Sequence, residues 1–241
     1  MLELNQFRHS AFCLKVRMVL EAKGLKYRVI EITPGVGQFE IFKLSGQRKV
    51  PVLVDKGQVI ADSSAIVRYL DHTYPEPQLL PNDPKEAAQV HLIEDWADTT
   101  FAQSARKTLL KAAAMDPELR IALLPEEIPE TIRKFVKGFS LEVISDVAQL
   151  VNQGEEEVLL ESLKKLSNLV EANKWLIGQK MSIADIAVAS QLSLLRFPAS
   201  SGIPLVGKGY AGFSDHPDLE NLFSWRDDLE MSLMQSNPSS I

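Results

Sequence analysis

The sequence predicts two domains of different fold class, a mixed α/β domain at the N-terminus and an all-α helical domain after it. Three observations lead to this prediction. Strand-like and helix-like segments alternate through residues 1–75, a proline-rich break follows, and apolar residues then recur at helical spacing. We expect the α/β domain to cover residues 1–76 and the helical domain to cover residues 84–241, with a linker at 77–83.

The composition is that of a folded globular protein. The 241 residues are 45% apolar and 24% charged, which provides enough apolar surface for packed cores. The formal net charge of −6, with Lys and Arg spread along the chain, argues against nucleic-acid binding. No segment has the roughly 20 apolar residues that cross a bilayer, so we expect no membrane association.

The cysteine content favours a reducing compartment. The single cysteine, Cys13, cannot form an internal disulfide, and the N-terminus lacks the basic and apolar runs of a secretory signal. We therefore expect a cytoplasmic protein. We also expect no metal, because Cys and His are not spaced as zinc ligands and the pair His91 and Glu94 is too small a set.

The α/β domain begins with a strand at residues 2–7, a helix and a second strand at residues 27–32. The helix is predicted because four apolar side chains recur at helical spacing before Gly24 ends it: Phe12, Val16, Val19 and Leu20. The second strand is rich in β-branched and aromatic residues.

A loop that can hold a short helix separates these elements from a hairpin. The hairpin strands at 51–54 and 58–61 flank Asp55-Lys56-Gly57, which is a strong turn signal. A helix then begins at Ser63. This order is typical of a small sheet with helices packed on it.

The rest of the chain predicts helices. Asp83 and Pro84 resemble an N-cap and a first helical position, and Ser182 with Asp185 resembles a capping box. Apolar stripes at 132–151 and 159–170 predict buried helix faces, with proline breaks between 117 and 129.

Ser10 is the first candidate functional residue, because it stands between the first strand and the first helix. A hydroxyl there can donate a hydrogen bond to an incoming sulfur, and the positive end of the helix favours an anion. The other interpretation is that Ser10 only caps the helix, since serine is a preferred N-cap residue. The residues alone leave both roles open.

Cys13 follows Ser10 at the spacing of a redox Cys-x-x-Cys motif whose first cysteine is replaced by serine. Without the first thiol, dithiol exchange is not possible. Cys13 then has either an auxiliary role beside Ser10 or the role of a small buried side chain in the first helical turn.

Two later segments can bind a peptide. A cis Val50-Pro51 bond would turn the N–H and C=O of Val50 outward, where they can pair with an extended ligand. Ser63 would cap the helix that begins there and suits a carboxylate, while Asp62 suits an ammonium group. The alternatives are an ordinary strand-starting proline and residues that only cap the helix.

Cations lie near these segments in the sequence. Lys15, Arg48 and Lys49 can supply positive charge to an anionic ligand, although such residues are more often solvated surface.

The order of these motifs resembles the soluble glutathione S-transferase family. The resemblance covers residues 1–82 and rests on Ser10-x-x-Cys13, Lys15-Val16-Arg17, Val50-Pro51 and Asp62-Ser63. In the second half, residues 182–187 and 216–225 are similar to the helix-capping and closing segments of that family, whereas residues 100–170 carry no matching motif.

The resemblance implies a thioredoxin-like N-terminal domain that binds glutathione and a helical domain that receives an apolar co-substrate. Carried over by position, Ser10 stabilises the thiolate, as in the serine-type zeta, theta and tau classes. Val50, next to Pro51, holds the cysteinyl backbone, Lys49 lies near the glycyl end, and Asp62 with Ser63 binds the γ-glutamyl end. The resemblance also implies a homodimer; the class within the family stays open.

The sequence departs from the family pattern at several positions. Ala11 stands where proline is common, and Asp62 where glutamate is common. Arg8 and His9 are unusual before the serine, and Arg8 is an auxiliary candidate because an arginine can itself stabilise a thiolate.

The function predicted from these residues is conjugation of the glutathione thiolate to small hydrophobic electrophiles. Glutathione-dependent isomerisation, peroxide reduction, and a binding module without catalysis are the alternatives. Trp96, Phe101 and Arg106 are candidates for the co-substrate pocket.

Overall fold

The computed structural model describes residues 1–35, 37–125, 128–138 and 153–236. Spatial contacts divide the chain into two units, neither of which is continuous in sequence. The first unit contains Met1–Glu94, Trp175–Ser190 and the chain from Asp228 onward; the second contains Asp95–Lys174 and Gln191–Asp227. The boundary predicted at 77–83 stays a prediction.

Four short strands form one mixed sheet in the first unit. They are β1 (Leu2–Gln6), β2 (Tyr27–Glu31), β3 (Val52–Asp55) and β4 (Gln58–Ala61), in the order β2-β1-β3-β4. β2 runs parallel to β1, whereas β3 runs antiparallel to β1 and β4 antiparallel to β3. The predicted mixed α/β class of the N-terminal region is confirmed.

Three helices accompany this sheet: α1 (Ala11–Ala22), α2 (Gln38–Ser45) and α3 (Ser63–Thr73). In the predicted stripe of α1, Val16, Val19 and Leu20 are fully buried and Phe12 is half-buried. Gly24 follows the end of α1 with a φ of +61°, a conformation that favours glycine. Ile41 of α2 packs with Ile32 and Val52 in a small apolar cluster. Burial of these apolar faces holds the helices against the sheet.

The remaining elements are helices, as predicted. They are α4 (Pro84–Trp96), α5 (Ala102–Met115), α6 (Pro117–Ala122), α7 (Glu130–Lys137), α8 (Gln153–Ala172), α9 (Ile183–Leu192) and α10 (Glu220–Ser236). A π-helical turn, Ala97–Phe101, joins α4 to α5. None of the helices in the described ranges is long and apolar enough to cross a membrane.

The two apolar stripes differ in outcome. Leu159 and Leu163 of the second stripe are buried, as predicted. In the first stripe, Ile132 and Phe135 are 48% and 69% exposed, so the expectation of a buried face was wrong there. Residues 139–151 of that stripe lie outside the described part of the chain.

Two predicted helix starts are confirmed by their hydrogen bonds. Asp83 accepts from the backbone N–H groups of Lys85 and Glu86 at 3.0 and 2.9 Å, and Pro84 opens α4. Asp185 is fully buried and accepts from the backbone N–H and the hydroxyl of Ser182 at 2.7 and 2.8 Å. Burial raises the pKa of the Asp185 carboxyl, and these donors oppose that rise.

A buried lysine fixes the segment after α3. Lys23 Nζ donates to Asp71 Oδ1 at 2.7 Å and to the carbonyls of Tyr74 and Pro77 at 2.8 and 2.9 Å. Asp71 also accepts from the N–H of Leu79 at 3.0 Å. The end of α1, the end of α3 and the proline-rich segment are therefore joined by one charged pair.

Replacement of Lys23 by Met should destabilise the protein, because it leaves the Asp71 carboxylate and two carbonyls without their donor. We expect the free energy of unfolding to fall by about 3 kcal/mol, the typical cost of breaking a buried ion pair. Urea denaturation followed by circular dichroism measures this. Lys26→Met, at an exposed residue immediately before β2, is the matched control and should change the value by less than about 0.5 kcal/mol.

Equal effects of the two substitutions would show that Lys23 does not hold the segment. A fall confined to Lys23→Met supports the pairing.

Candidate functional site

The register of the sheet defines one edge where three strands meet. Asn5 of β1 lies opposite Val52 of β3, and Val52 lies opposite Ala61 of β4. Val52 is the first residue of β3 and Ala61 the last of β4, while Asn5 is one residue from the end of β1. The chain therefore leaves β1, enters β3 and leaves β4 at the same edge.

The predicted site segments extend from this edge. Ser10 follows β1, Val50-Pro51 precedes β3, and Asp62-Ser63 follows β4. Segments separated by about forty residues in sequence are brought to one end of the sheet by antiparallel pairing alone. Loops at the end of a rigid sheet are a common place for binding groups.

Ser10 is the N-cap residue of α1. Its hydroxyl oxygen accepts from the N–H of Cys13 at 3.4 Å, and its own N–H donates to the carbonyl of Phe7 at 3.0 Å. The hydroxyl also interacts with the thiol of Cys13. Capping uses the oxygen lone pair, and the hydroxyl proton can still be donated to a ligand.

Cys13 is fully buried in the first turn of α1. Burial raises the pKa of its thiol, and contacts with Ser10 and with the backbone of Phe7 oppose that rise only in part. The side chain is neutral near pH 7 and has the environment of a small buried group.

The Val50-Pro51 peptide bond is cis. Pro51 is buried, Val50 is half-buried and Lys49 is exposed. No backbone group in the described ranges bonds to the N–H or C=O of Val50. Both groups are available to pair with an extended peptide, as in the addition of a strand.

The helix after β4 is capped by Asp62, not by Ser63 as the sequence predicted. Asp62 Oδ1 accepts from the N–H groups of Ser64 and Ala65, each at 3.1 Å, while Ser63 is the buried first residue of α3. The φ of +80° and ψ of +130° at Asp62 are rare for a residue other than glycine. Such strain costs about 1–3 kcal/mol and occurs often at binding sites.

Lys15 is buried, and the expectation that it supplies a cation at the surface for a ligand was wrong. Its side chain is fully buried, and Nζ donates to Glu94 Oε1 at 2.7 Å and to Ser64 Oγ at 3.1 Å. It joins α1 to the start of α3 and cannot reach a ligand as a solvated charge. Arg48 stays on the surface and lies over the ring of Phe42, 5.7 Å from its centroid.

Two charged residues beside Ser10 were missed as candidates. Arg17 and Glu31 bond to the backbone of Arg8, whose side chain is exposed. The available signal was the pair of charges at Lys15 and Arg17 among the apolar residues of the first helix, since such charges need partners.

The second unit contains a pocket of about 430 Å³ lined by α4, the π-helical turn, α5 and α8. Trp96 and Phe101 line it, as the sequence suggested, whereas the exposed Arg106 does not. The two rings stack with centroids 5.1 Å apart and an interplanar angle of 24°. A Lys107–Glu155 ion pair of 2.6 Å forms part of the wall.

The π-helical turn explains the stacked rings. In a regular α-helix, residues five apart point about 140° away from each other. The wider turn at Ala97–Phe101 brings Trp96 and Phe101 onto the same face. The aromatic and aliphatic walls suit a small apolar molecule.

Two family models match the chain. The model described as "Glutathione S-transferase, N-terminal domain" matches residues 4–78, and that described as "Glutathione S-transferase, C-terminal domain" matches residues 114–223.

Curated relatives carry different names. The chain is 27% identical over 195 residues to maleylacetoacetate isomerase of Rattus norvegicus. The matched region covers 79% of this chain and 76% of the relative. It is 27% identical to FtsZ-localized protein A of Caulobacter vibrioides, over 80% of this chain and 77% of the relative. It is 28% identical to glutathione S-transferase Z1 of Arabidopsis thaliana, over 91% of this chain and 90% of the relative.

Solved structures share the fold. A glutathione S-transferase from Rhodospirillum rubrum superposes with a TM-score of 0.64 at 25% identity, over 99% of this chain and 90% of that one. The beta-etherase LigF of Sphingobium superposes with a TM-score of 0.67 at 22% identity, over 98% and 99%. The predicted combination of a thioredoxin-like and a helical region is confirmed.

Burial of Cys13 predicts a slow thiol. We expect iodoacetamide to modify the native protein at pH 8 at least about tenfold more slowly than the protein unfolded in guanidinium, because burial keeps the thiol neutral and inaccessible. Intact-mass spectrometry over time measures the modification. Equal rates in the two states would place Cys13 at the surface and return it to the set of auxiliary candidates.

Proposed function

Because the chain belongs to the glutathione S-transferase family, we propose that it is a glutathione transferase that joins the glutathione thiolate to small hydrophobic electrophiles. The observation that carries this proposal is the common sheet edge from which the segments of Ser10, Val50 and Asp62 extend. One extended tripeptide can meet all three segments there.

Each segment suits a different part of glutathione. The N–H and C=O of Val50, held beside Pro51, pair with the cysteinyl backbone. Lys49 faces solvent and attracts the glycyl carboxylate. Ser63 opens α3, where its N–H has no intrahelical partner, and binds the γ-glutamyl carboxylate, while Asp62 binds the ammonium group.

The rate advantage comes from the thiolate. A thiol with a pKa of about 8.5 is roughly 3% ionised at pH 7. Lowering that pKa by about two units requires about 2.7 kcal/mol and raises the thiolate fraction about 25-fold. A hydrogen bond from the Ser10 hydroxyl to the charged sulfur, with the N-terminus of α1, is of this size. The sulfur lone pair then attacks the electrophilic carbon, and the leaving group departs with its bonding electrons.

We propose that the electrophile binds in the pocket lined by Trp96 and Phe101. Its volume and its stacked aromatic wall support this assignment, because flat apolar molecules gain most from such a surface. The homodimer, the cytoplasmic location and the domain boundary at 77–83 are proposals too, and they rest on the resemblance and the composition.

Glutathione-dependent isomerisation is the second candidate, supported by the likeness to maleylacetoacetate isomerase. Addition of the thiolate to a conjugated double bond allows rotation, and its elimination restores glutathione, so the same sulfur serves both reactions. The likeness to FtsZ-localized protein A supports a third candidate, a binding module without catalysis. Assays with chlorodinitrobenzene and with maleylacetoacetate, beside calorimetry with glutathione, distinguish the three.

Replacement of Ser10 by Ala should lower kcat for chlorodinitrobenzene by at least about tenfold, because one hydrogen bond to the charged sulfur is lost. The Kd for glutathione, measured by calorimetry, should stay within about threefold, since the other contacts remain. Ser10→Thr keeps both the cap and the hydroxyl, and it should retain most of the turnover.

The loss of the cap needs its own measurement. Ser10→Ala should also cost about 1 kcal/mol of unfolding free energy. Ser10→Asp preserves the cap without a hydroxyl donor, so it should retain stability and lose turnover. Normal turnover in Ser10→Ala would remove Ser10 from the mechanism.

Replacement of Trp96 by Ala should raise KM for an aromatic electrophile by about tenfold, because the apolar wall that Trp96 shares with Phe101 is lost. KM for glutathione should not change. Arg106→Ala, in the neighbouring helix α5 and outside the pocket lining, is the control. Equal effects of the two substitutions on the electrophile would contradict the assignment of the pocket.

A further inference from the structure

We propose that Arg17 and Glu31 are positioning residues that hold the backbone of Arg8, and with it Ser10, in the place where the hydroxyl meets the ligand sulfur. This inference rests on the proposed function. It assigns the two charges a role that the sequence did not suggest.

The two side chains bond to opposite sides of one residue. The N–H of Arg8 donates to Glu31 Oε1 at 2.5 Å, and the carbonyl of Arg8 accepts from Arg17 Nη2 at 3.4 Å. Glu31 is the last residue of β2, and Arg17 is in the second turn of α1. The loop between β1 and α1 is therefore tied to both elements that flank it.

Gln6 completes the arrangement. Arg17 Nη1 donates to Gln6 Oε1 at 2.6 Å, and Gln6 Nε2 donates to Glu31 Oε2 at 3.1 Å. Gln6 is 5% exposed and its two bonds are partly buried, whereas the two bonds to the backbone of Arg8 lie at the surface. Each member fixes the orientation of the next, and the closed set resists movement better than single bonds.

The arrangement controls Ser10 because the loop is short. Ser10 is two residues beyond Arg8, and its N–H is bonded to the carbonyl of Phe7. The ring of Phe7 also meets the ring of His9 edge to face, with centroids 5.6 Å apart. The position of the Ser10 hydroxyl is thus set by the backbone of Arg8. A displacement of a catalytic group by about 1 Å slows the reaction that it supports.

The test measures the ionisation of glutathione bound to the full-length protein. Ultraviolet absorbance of the thiolate, followed against pH, gives the pKa of the bound thiol. In Glu31→Ala we expect this pKa to rise by about one unit toward that of free glutathione. At pH values below the pKa, kcat should be about tenfold lower than in the wild type. The Kd for glutathione should change by less than about threefold.

Two further variants and one control complete the design. Glu31→Gln keeps an oxygen that can accept from Arg8, and it should recover part of the shift. Arg17→Lys keeps the charge but cannot bond to Gln6 and Arg8 together, so it should behave like Glu31→Ala. Glu3→Ala breaks an exposed ion pair with Arg28 across the same two strands and should leave the thiol pKa unchanged.

The outcomes separate this inference from the proposed function. If the wild-type protein fails to bind glutathione, or binds it without lowering the thiol pKa, the proposed function falls and the inference falls with it. If the wild type lowers the pKa but Glu31→Ala and Arg17→Lys lower it equally well, only the positioning role is overturned. Should Glu31→Ala fail to fold, judged by circular dichroism, Arg17→Lys and Glu31→Gln decide the matter.

Discussion

The pairing register of one small sheet is the constraint on which the candidate site depends. Asn5, Val52 and Ala61 lie side by side across β1, β3 and β4, and this places three loops at a single edge. A slip of one residue in any pair would turn every side chain of that strand to the opposite face of the sheet. Most side chains of β1 and β3 are buried, whereas no residue of β4 is, so the hydrophobic core fixes the register of the β1–β3 pair.

At that edge, two of the candidate binding residues, Ser10 and Asp62, also cap helices. The oxygen of Ser10 accepts from the first turn of α1, and the hydroxyl can still donate its proton to another group. Asp62 likewise caps α3 while its backbone holds a conformation that is rare outside glycine. Helix starts supply unpaired N–H groups and a partial positive charge, which is why binding groups recur there.

The sequence predicts most of the framework and only part of the site. Helix caps with a distinctive pattern, such as Asp83 before Pro84, can be predicted because the signal is local in sequence. Sequence does not distinguish Asp62 from Ser63 as the cap of α3, because both residue types favour that position and sequence does not reveal backbone angles. The burial of Lys15 is not predicted from sequence, because its partner, Glu94, lies 79 residues away. Long-range pairs of this kind are set by the packing of whole elements.

The π-helical turn at Ala97–Phe101 links chain length to the shape of the neighbouring pocket. Such a turn accommodates one residue more than the regular spiral, so loss of a single amino acid there would restore ordinary winding. Trp96 and Phe101 would then be four residues apart in a regular α-helix, about 40° around its axis, so both rings would stay on one face. The stacked pair is therefore compatible with the loss of one residue from this short stretch, and the pocket wall that it forms would be kept.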